Sequence, residues 1–348
     1  MNEGGTLDSL SPKCYTPRNV PAKPLPPKGH CFVFGTLIIG GWFFSMAKQN
    51  FIKPFTTHDE QLDILQKRGL IIPDRKGASA FLSYCNYYRF SGYVLPFEVS
   101  RHVILPKTTF DQVKALYEFD RTLRCLVSEA VAVIEISVKA RMAYQLGVSN
   151  DPFLHRDQAL FRNGNVWRDW LAKVRNETEN SKEPFVAHFR TAYAEYPDLP
   201  IWVLTELMSF GSLSKFYSEI QGTYQRPIAW YFGVPHAILV SWLHSLTHVR
   251  NLCAHHARLW DRYLSIFPKA PHRHPEWDCF RRSDATRRVF FILSIIQFLL
   301  DKIKERTNVD IEWRQRIVDL LKNHPPVPKF ERFLGLPNDW QQMTLWKQ

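Results

Sequence analysis

From Phe110 to Leu146 the chain contains neither proline nor glycine, and along it Val113, Leu116, Leu123, Leu126, Ala130, Ile134, Val138 and Met142 recur at the three- and four-residue steps of one helical face. Thr109 stands before this stretch with Gln112 three residues later, the spacing of a capping box, and Gly147 closes it. The segment predicts one long helix, or two nearly collinear ones, of up to ~55 Å at 1.5 Å per residue. A rod of that length organises whatever else the chain folds into.

The flanking sequence speaks the same language. Thr57 with Glu60 forms another capping box, and Leu62, Ile64, Leu65 and Leu70 make the apolar side of a short helix ending near Gly69. A second short helix carries Ala78, Phe81 and Leu82 and stops in the aromatic stretch Tyr84 to Tyr93. Further helices are expected at Trp167 to Asn180, Ile201 to Met208, Ser212 to Ile220, Pro235 to Cys253, Asp284 to Arg306 and Ile311 to Asn323. Strand-period alternation is nowhere sustained, and no repeat or long heptad run is visible. The expectation is an all-α bundle, with an N-terminal helical subdomain over residues 46–107, a main helical domain over 108–310 and a C-terminal helix and aromatic tail over 311–348.

Residues 1–45 differ in composition from the rest. Six of the 23 prolines and six of the 15 glycines fall there, without helical periodicity. They read as a disordered or non-native extension, with Met46 as the expected functional start. A secretory signal is not the expectation, because the apolar run from Cys31 to Phe44 follows a Pro-rich lead and not a basic n-region. That run and the one from Val289 to Leu300 are both shorter than the roughly 20 residues of a bilayer helix, so no membrane partner is expected.

Lys plus Arg is 45 against 33 Asp plus Glu, a net charge of +12. Such an excess favours a polyanionic partner. The six cysteines, Cys14, Cys31, Cys85, Cys125, Cys253 and Cys279, include no C-x-x-C pair, which argues against a zinc ribbon or dithiol redox motif and for a reduced, cytoplasmic setting. Phosphate-loop, dinucleotide-binding and nucleophile-elbow motifs are absent.

Reactive side chains concentrate in one place. Four of the 13 histidines lie between His244 and His256, together with Arg250, Asn251, Arg258 and Arg262. At about 100° per residue His244, His248, Asn251 and His255 share one stripe, whereas Arg250 stands about 140° from His255. A straight helix cannot aim both at one phosphate, so either the helix kinks or two chains each supply half of a site. Three readings compete. His244 and His248 have the i, i+4 spacing of a zinc helix, but Ser245 replaces the general-base Glu of H-E-x-x-H. The histidines and Asn251 can instead satisfy one another in a packed interior. The third reading is metal-free RNA cleavage, which needs a group that exchanges protons near neutral pH and a fixed cation for the charge on the phosphorane. His255 and Arg250 have that chemistry, with Asn251 as an orienting amide.

Arg250-Asn251-Leu252-Cys253-Ala254-His255-His256 resembles the R-x(4 to 6)-H signature of the HEPN ribonuclease superfamily, in the R-N-x-x-A-H-H form of the Abi-like (AbiD/AbiF group) abortive-infection proteins of bacteria. Its company makes the match specific. Asn86-Tyr87-Tyr88-Arg89-Phe90-Ser91-Gly92-Tyr93 is similar to the family's N-Y-Y-R-x-S-G-Y element, and Tyr117-Glu118-Phe119-Asp120-Arg121 with Ile134-Glu135-Ile136 to its central helix. Ser209-Phe210-Gly211-Ser212-Leu213-Ser214 precedes the motif helix as in the family, and Leu334-Gly335-Leu336-Pro337 with Trp340 and Trp346 resembles its terminal tail. The resemblance runs from about Lys53 to Trp346.

It implies a HEPN-type helical bundle, a homodimer whose motif helices face each other, and a metal-independent endoribonuclease in phage defence or a toxin-antitoxin pair. It implies no cofactor. Arg250 and His255 become the expected catalytic pair, with Asn251 and His256 in support and Arg258 and Arg262 on the RNA backbone; the motif spacing alone also allows His256. Arg273, Arg281 and Arg282 extend the basic footprint, and Glu135 and Arg141 are further candidates on the long helix. The aromatic block Tyr84, Tyr87, Tyr88, Phe90 and Tyr93 suits core packing or, alternatively, stacking on bases. The expected partner is an RNA substrate, with a small structured RNA or a protein as antitoxin. The rival readings are a non-catalytic RNA-binding module and a protein-interaction component of a defence system.

Overall fold

A computed structural model describes residues 54–347, except 273–274 and 282–283, together with two short strands upstream. The chain divides into two compact units, Met1–Phe55 and Thr56–Gln348. In the first, β1 (Ile38–Ile39) pairs antiparallel with β2 (Trp42–Phe43). The expectation of an extension over residues 1–45, like Met46 as start, otherwise lies outside the described residues.

The second unit is all-α apart from one small hairpin among the described residues. It opens with α1 (His58–Lys67), capped by Thr57 and Glu60 in a reciprocal box, α2 (Arg75–Tyr84), capped by Asp74, and α3 (Tyr87–Val94), capped by Asn86. The hairpin β3 (Glu98–Ser100) and β4 (Val103–Ile104) leads to α4 (Phe110–Gly147). There follow α5 (Gly164–Glu179), α6 (Pro184–Ala192), α7 (Ile201–Leu207), α8 (Phe210–Glu219), α9 (Gly222–Tyr231) and α10 (His236–Ala254). The chain ends through α11 (Asp278–Arg281), α12 (Val289–Thr307), α13 (Trp313–Lys322) and α14 (Phe330–Leu334).

The long proline-free segment is a single helix of 38 residues, α4, with Thr109 and Gln112 as its capping box. Its periodic apolar residues are fully buried, and α3, α7, α9, α10, α12 and α13 pack around it. The apolar run from Val289 explains itself here: every residue from Val289 to Leu300 is buried, including Ser294 and Gln297, as befits a helix apolar all round at the centre of a domain. The aromatic tail closes over it. Trp346 stacks on Phe290 at 5.4 Å and its indole N–H donates to Ser294 Oγ at 3.2 Å. Among the described residues no helix is long and apolar enough to cross a membrane.

The expected helices all exist, with one late start. Asp284–Arg287 is a 3-10 turn, and α12 begins only at Val289. Five helices were not legible: α3 inside the aromatic stretch, α6, α9 around Pro227, the four-residue α11 and the five-residue α14. The helices of residues 58–94 and the C-terminal tail share one continuous core with α4 and α12.

Candidate active site

The motif helix α10 presses Leu239, Trp242, Leu243, Leu246, Val249 and Cys253 into the core, against α4, α8 and α9. Its other face carries His244, Arg250 and Asn251 to the surface and leaves His248 half-buried. Burial, then the nearby charges of Arg262 and His244, holds the His248 pKa below its ordinary value. Among the described residues no three His, Cys, Asp or Glu side chains stand together as a metal-ligand set.

At its C-terminus α10 closes in a Schellman turn. The amide of Ala257 donates to the Leu252 carbonyl at 2.9 Å and that of His256 to Cys253 at 3.0 Å. His255 caps the helix, still donating to Asn251 at 3.0 Å, and His256 has left it, with φ of 53° in the left-handed region that favours glycine. The helical-wheel comparison of the two histidines therefore stops at His255. Arg250, Asn251, His255 and His256 are all exposed around this turn, and Arg250 Nη1 reaches Asn251 Oδ1 at a long 3.4 Å.

Beneath the turn lies one carboxylate. Asp120, fully buried on α4, accepts from the backbone amides of Leu259 and Trp260 at 3.1 and 2.8 Å and from the Tyr93 hydroxyl at 2.7 Å. It also pairs with Arg124, one turn along α4. Burial pushes the Asp120 pKa up, against Arg124, the Tyr93 phenol and the two amides. Tyr93 belongs to the N-Y-Y-R element, Asp120 to the central helix, and Leu259 and Trp260 follow the R-N-x-x-A-H-H motif. Three segments far apart in sequence are thus tied at one buried point. Sequence reasoning gave Tyr93 a place in core packing or base stacking and gave Asp120, Arg124, Leu259 and Trp260 no role, although a signal existed: Asp120 sits between Leu116 and Leu123 on the core stripe of α4, with Arg124 at i+4.

Two clefts flank His256. One, of about 810 Å³, runs between α3, the β3–β4 hairpin and the chain after α10; the other, of about 750 Å³, lies between α2, α4 and the end of α10. Arg89 and His256 line both, and Arg89 also donates to the His256 carbonyl. Neither Arg250 nor His255 lines either cleft.

The remaining candidates divide. Arg258 is engaged by Asp261 at 2.9 Å and the Gly92 carbonyl, while Arg262 donates to the Arg258 carbonyl at 3.1 Å and faces the first cleft with no carboxylate partner among the described residues. Arg281 pairs with Asp278 and the Pro271 carbonyl. Arg273 and Arg282 lie outside the described residues. Glu135 faces Lys139 at 3.9 Å, and Arg141 lies over the rings of Tyr144 and Tyr231. Fifteen residues along α4 from Asp120, Glu135 is ~22 Å from the turn's anchor, too far to orient its side chains directly. The aromatic block splits as well: Phe90 and Tyr93 are core, Tyr87 is half-buried, and Tyr84 and Tyr88 are exposed.

Comparison with known families matches the model described as Abi-like protein over residues 80–261, slightly more than half of the chain. Comparisons with curated proteins and with solved structures return no match. The matched span is narrower than the likeness read from Lys53 to Trp346, yet it holds the N-Y-Y-R element, the Asp120 anchor and the motif helix with its terminal turn. On that match the chain belongs to the Abi-like protein family.

Proposed function

We propose that this protein is a metal-independent endoribonuclease acting in abortive infection, as a phage-defence effector or the toxin of a toxin-antitoxin pair. The observation that carries this reading is the anchored turn: Arg250, Asn251, His255 and His256 stand exposed together at an end of α10 that Asp120 fixes from below. In this mechanism His255 accepts the proton of a ribose 2′-OH as that oxygen attacks the adjacent phosphorus. The P–O5′ bond breaks, a proton reaches the departing 5′-oxygen, and the products are a 2′,3′-cyclic phosphate and a 5′-OH. Arg250 balances the charge on the phosphorane, where a planar guanidinium matches two phosphate oxygens. Because Arg250 and His255 diverge on the helix, the working site takes Arg250 from one subunit of a homodimer and His255 from the other. A small structured RNA or a protein antitoxin restrains it.

Arg250→Ala and His255→Ala each lower RNA cleavage by on the order of 100-fold or more, EDTA leaves it unchanged, and mixing the two variants restores part of it. A substrate with 2′-deoxyribose at the scissile position binds but is not cut. Undiminished cleavage by both variants, or cutting of the deoxy substrate, overturns the proposal. His256→Ala decides between the two histidines: it abolishes cleavage in place of His255→Ala if the left-handed residue is the proton carrier.

A further inference from the structure

Each of the two clefts that meet at Arg89 and His256 exposes one tyrosine ring. Tyr88, in the first, is 87% exposed and touches no other ring among the described residues; Tyr84, in the second, is 69% exposed and leans edge-on towards Phe81 and Tyr117. Exposed aromatic rings on either side of one guanidinium offer a flat ligand two faces to stack on.

The charge beside them is predominantly positive. Arg68, Arg89 and Arg262 line the clefts with no carboxylate partner among the described residues. Of the first cleft's acids, Asp261 is paired with Arg258 at 2.9 Å and Glu98 stands 4.0 Å from His102, an ion pair only while that imidazole carries a proton; among the described residues no Asp or Glu lines the second. A ligand matching this pattern alternates negative groups with flat apolar faces. A single-stranded nucleic acid does so; a duplex keeps its base faces stacked inside, and an acidic peptide has no use for the rings.

We propose that the two clefts form one track for single-stranded RNA, in which Tyr84 and Tyr88 stack bases on either side of a phosphate held at the Arg89–His256 ridge. The track deepens the ribonuclease reading, on which it rests, by naming where the strand lies beside the anchored turn.

The test uses the full chain and a fluorescent 2′-O-methyl single-stranded RNA, which lacks the attacking hydroxyl and therefore reports binding alone. Tyr88→Ala and Tyr84→Ala each weaken its binding by about five- to 100-fold, the range that loss of one base–aromatic stack produces. Tyr88→Phe keeps the affinity, and an abasic strand of the same charge binds the wild type as poorly as the full strand binds Tyr88→Ala. Tyr88 packs on no other ring among the described residues, so its alanine leaves the core intact; Tyr84 also meets Phe81 and Tyr117, so the unfolding midpoint of Tyr84→Ala is measured beside its affinity. Unchanged affinity in both alanine variants overturns the track, as does equal affinity for the abasic strand or for polyglutamate of matching charge. The two proposals fail separately. A wild type that binds through Tyr88 but never cuts ribose-containing RNA removes the ribonuclease and keeps the track; one that cuts while both alanine variants bind normally removes the track and keeps the ribonuclease.

Discussion

Two aspartate–arginine clusters organise this molecule, and they behave in opposite ways. Asp120 is sealed under the end of α10 with Arg124, whose side chain is 6% exposed. Asp198 holds Arg175 through both carboxylate oxygens at 2.7 Å and Arg156 at 2.8 Å, but these arginines remain 42% and 38% exposed. Burial would raise both carboxyl pKa values. At Asp120 it wins, and at Asp198 Arg175 and Arg156 pull the value below the ordinary range. The same chemistry therefore serves different ends. A wet cluster fastens local loops, whereas a dry one ties distant segments and fails badly if one member is removed.

Substitution to alanine breaks the comparison most directly. Asp120→Ala leaves a buried guanidinium, a phenol and two amides without their acceptor, and should cost about 3–5 kcal/mol of stability. Asp198→Ala releases arginines that water can take back, and should cost about 1 kcal/mol. Denaturant unfolding measures both, and amide exchange at Leu259 and Trp260 should accelerate only in the first variant. Equal losses would show that burial does not separate the clusters.

This difference also marks where sequence reasoning reaches its limit. The capping boxes at Thr57 and Thr109, the stripe of α4 and the buried run of α12 were legible because each is local, set by spacing along a few turns. The R-N-x-x-A-H-H segment was legible as chemistry for the same reason. The Asp120 anchor was not, since only Arg124 is local and the other donors come from residues 93, 259 and 260, where proximity is a property of packing. Helix α9 escaped because Pro227 reads as a breaker, and α3 because its rings suit a turn or a core equally well. Nor could the wheel foresee that α10 stops between two adjacent histidines.

Acid should separate the two regions next. His155 lies beside the Asp198 cluster, 1% exposed, with no partner for Nδ1 among the described residues, and burial holds its pKa down to about 4 from 6.5. The folded state keeps this imidazole neutral while the unfolded chain protonates it. Its contribution is therefore intact above about pH 6.5 and is lost as pH falls towards 4, up to ~3 kcal/mol across the window at 1.4 kcal/mol per unit. Asp198 adds a loss below its unfolded value of 3.8. Stability measured from pH 7 to pH 4 should fall in the wild type and fall less steeply in His155→Leu, where His248 and His236, also held below their ordinary values, still contribute. A slope undiminished by this substitution would place the acid-labile group elsewhere.

The smallest expected effect asks what the Asp120 anchor is for. Helix α1 ends in the same Schellman turn as α10: Leu70 donates to Leu65 at 3.0 Å and Gly69 to Gln66 at 2.9 Å, with Gly69 at φ of 101°. At the corresponding position α10 places His256, at φ of 53°. A side chain in the left-handed region costs about 1–2 kcal/mol relative to glycine, offset in part because glycine loses more chain entropy on folding. His256→Gly should then leave stability unchanged or raise it by up to ~1 kcal/mol while weakening binding of single-stranded RNA. Opposite signs in one variant would mean that the imidazole is kept for the ligand and that the bonds from Asp120 to Leu259 and Trp260 hold the strained turn in place. If His256→Gly instead destabilised the protein without touching RNA binding, the histidine would be a packing residue and the anchor would serve the fold alone.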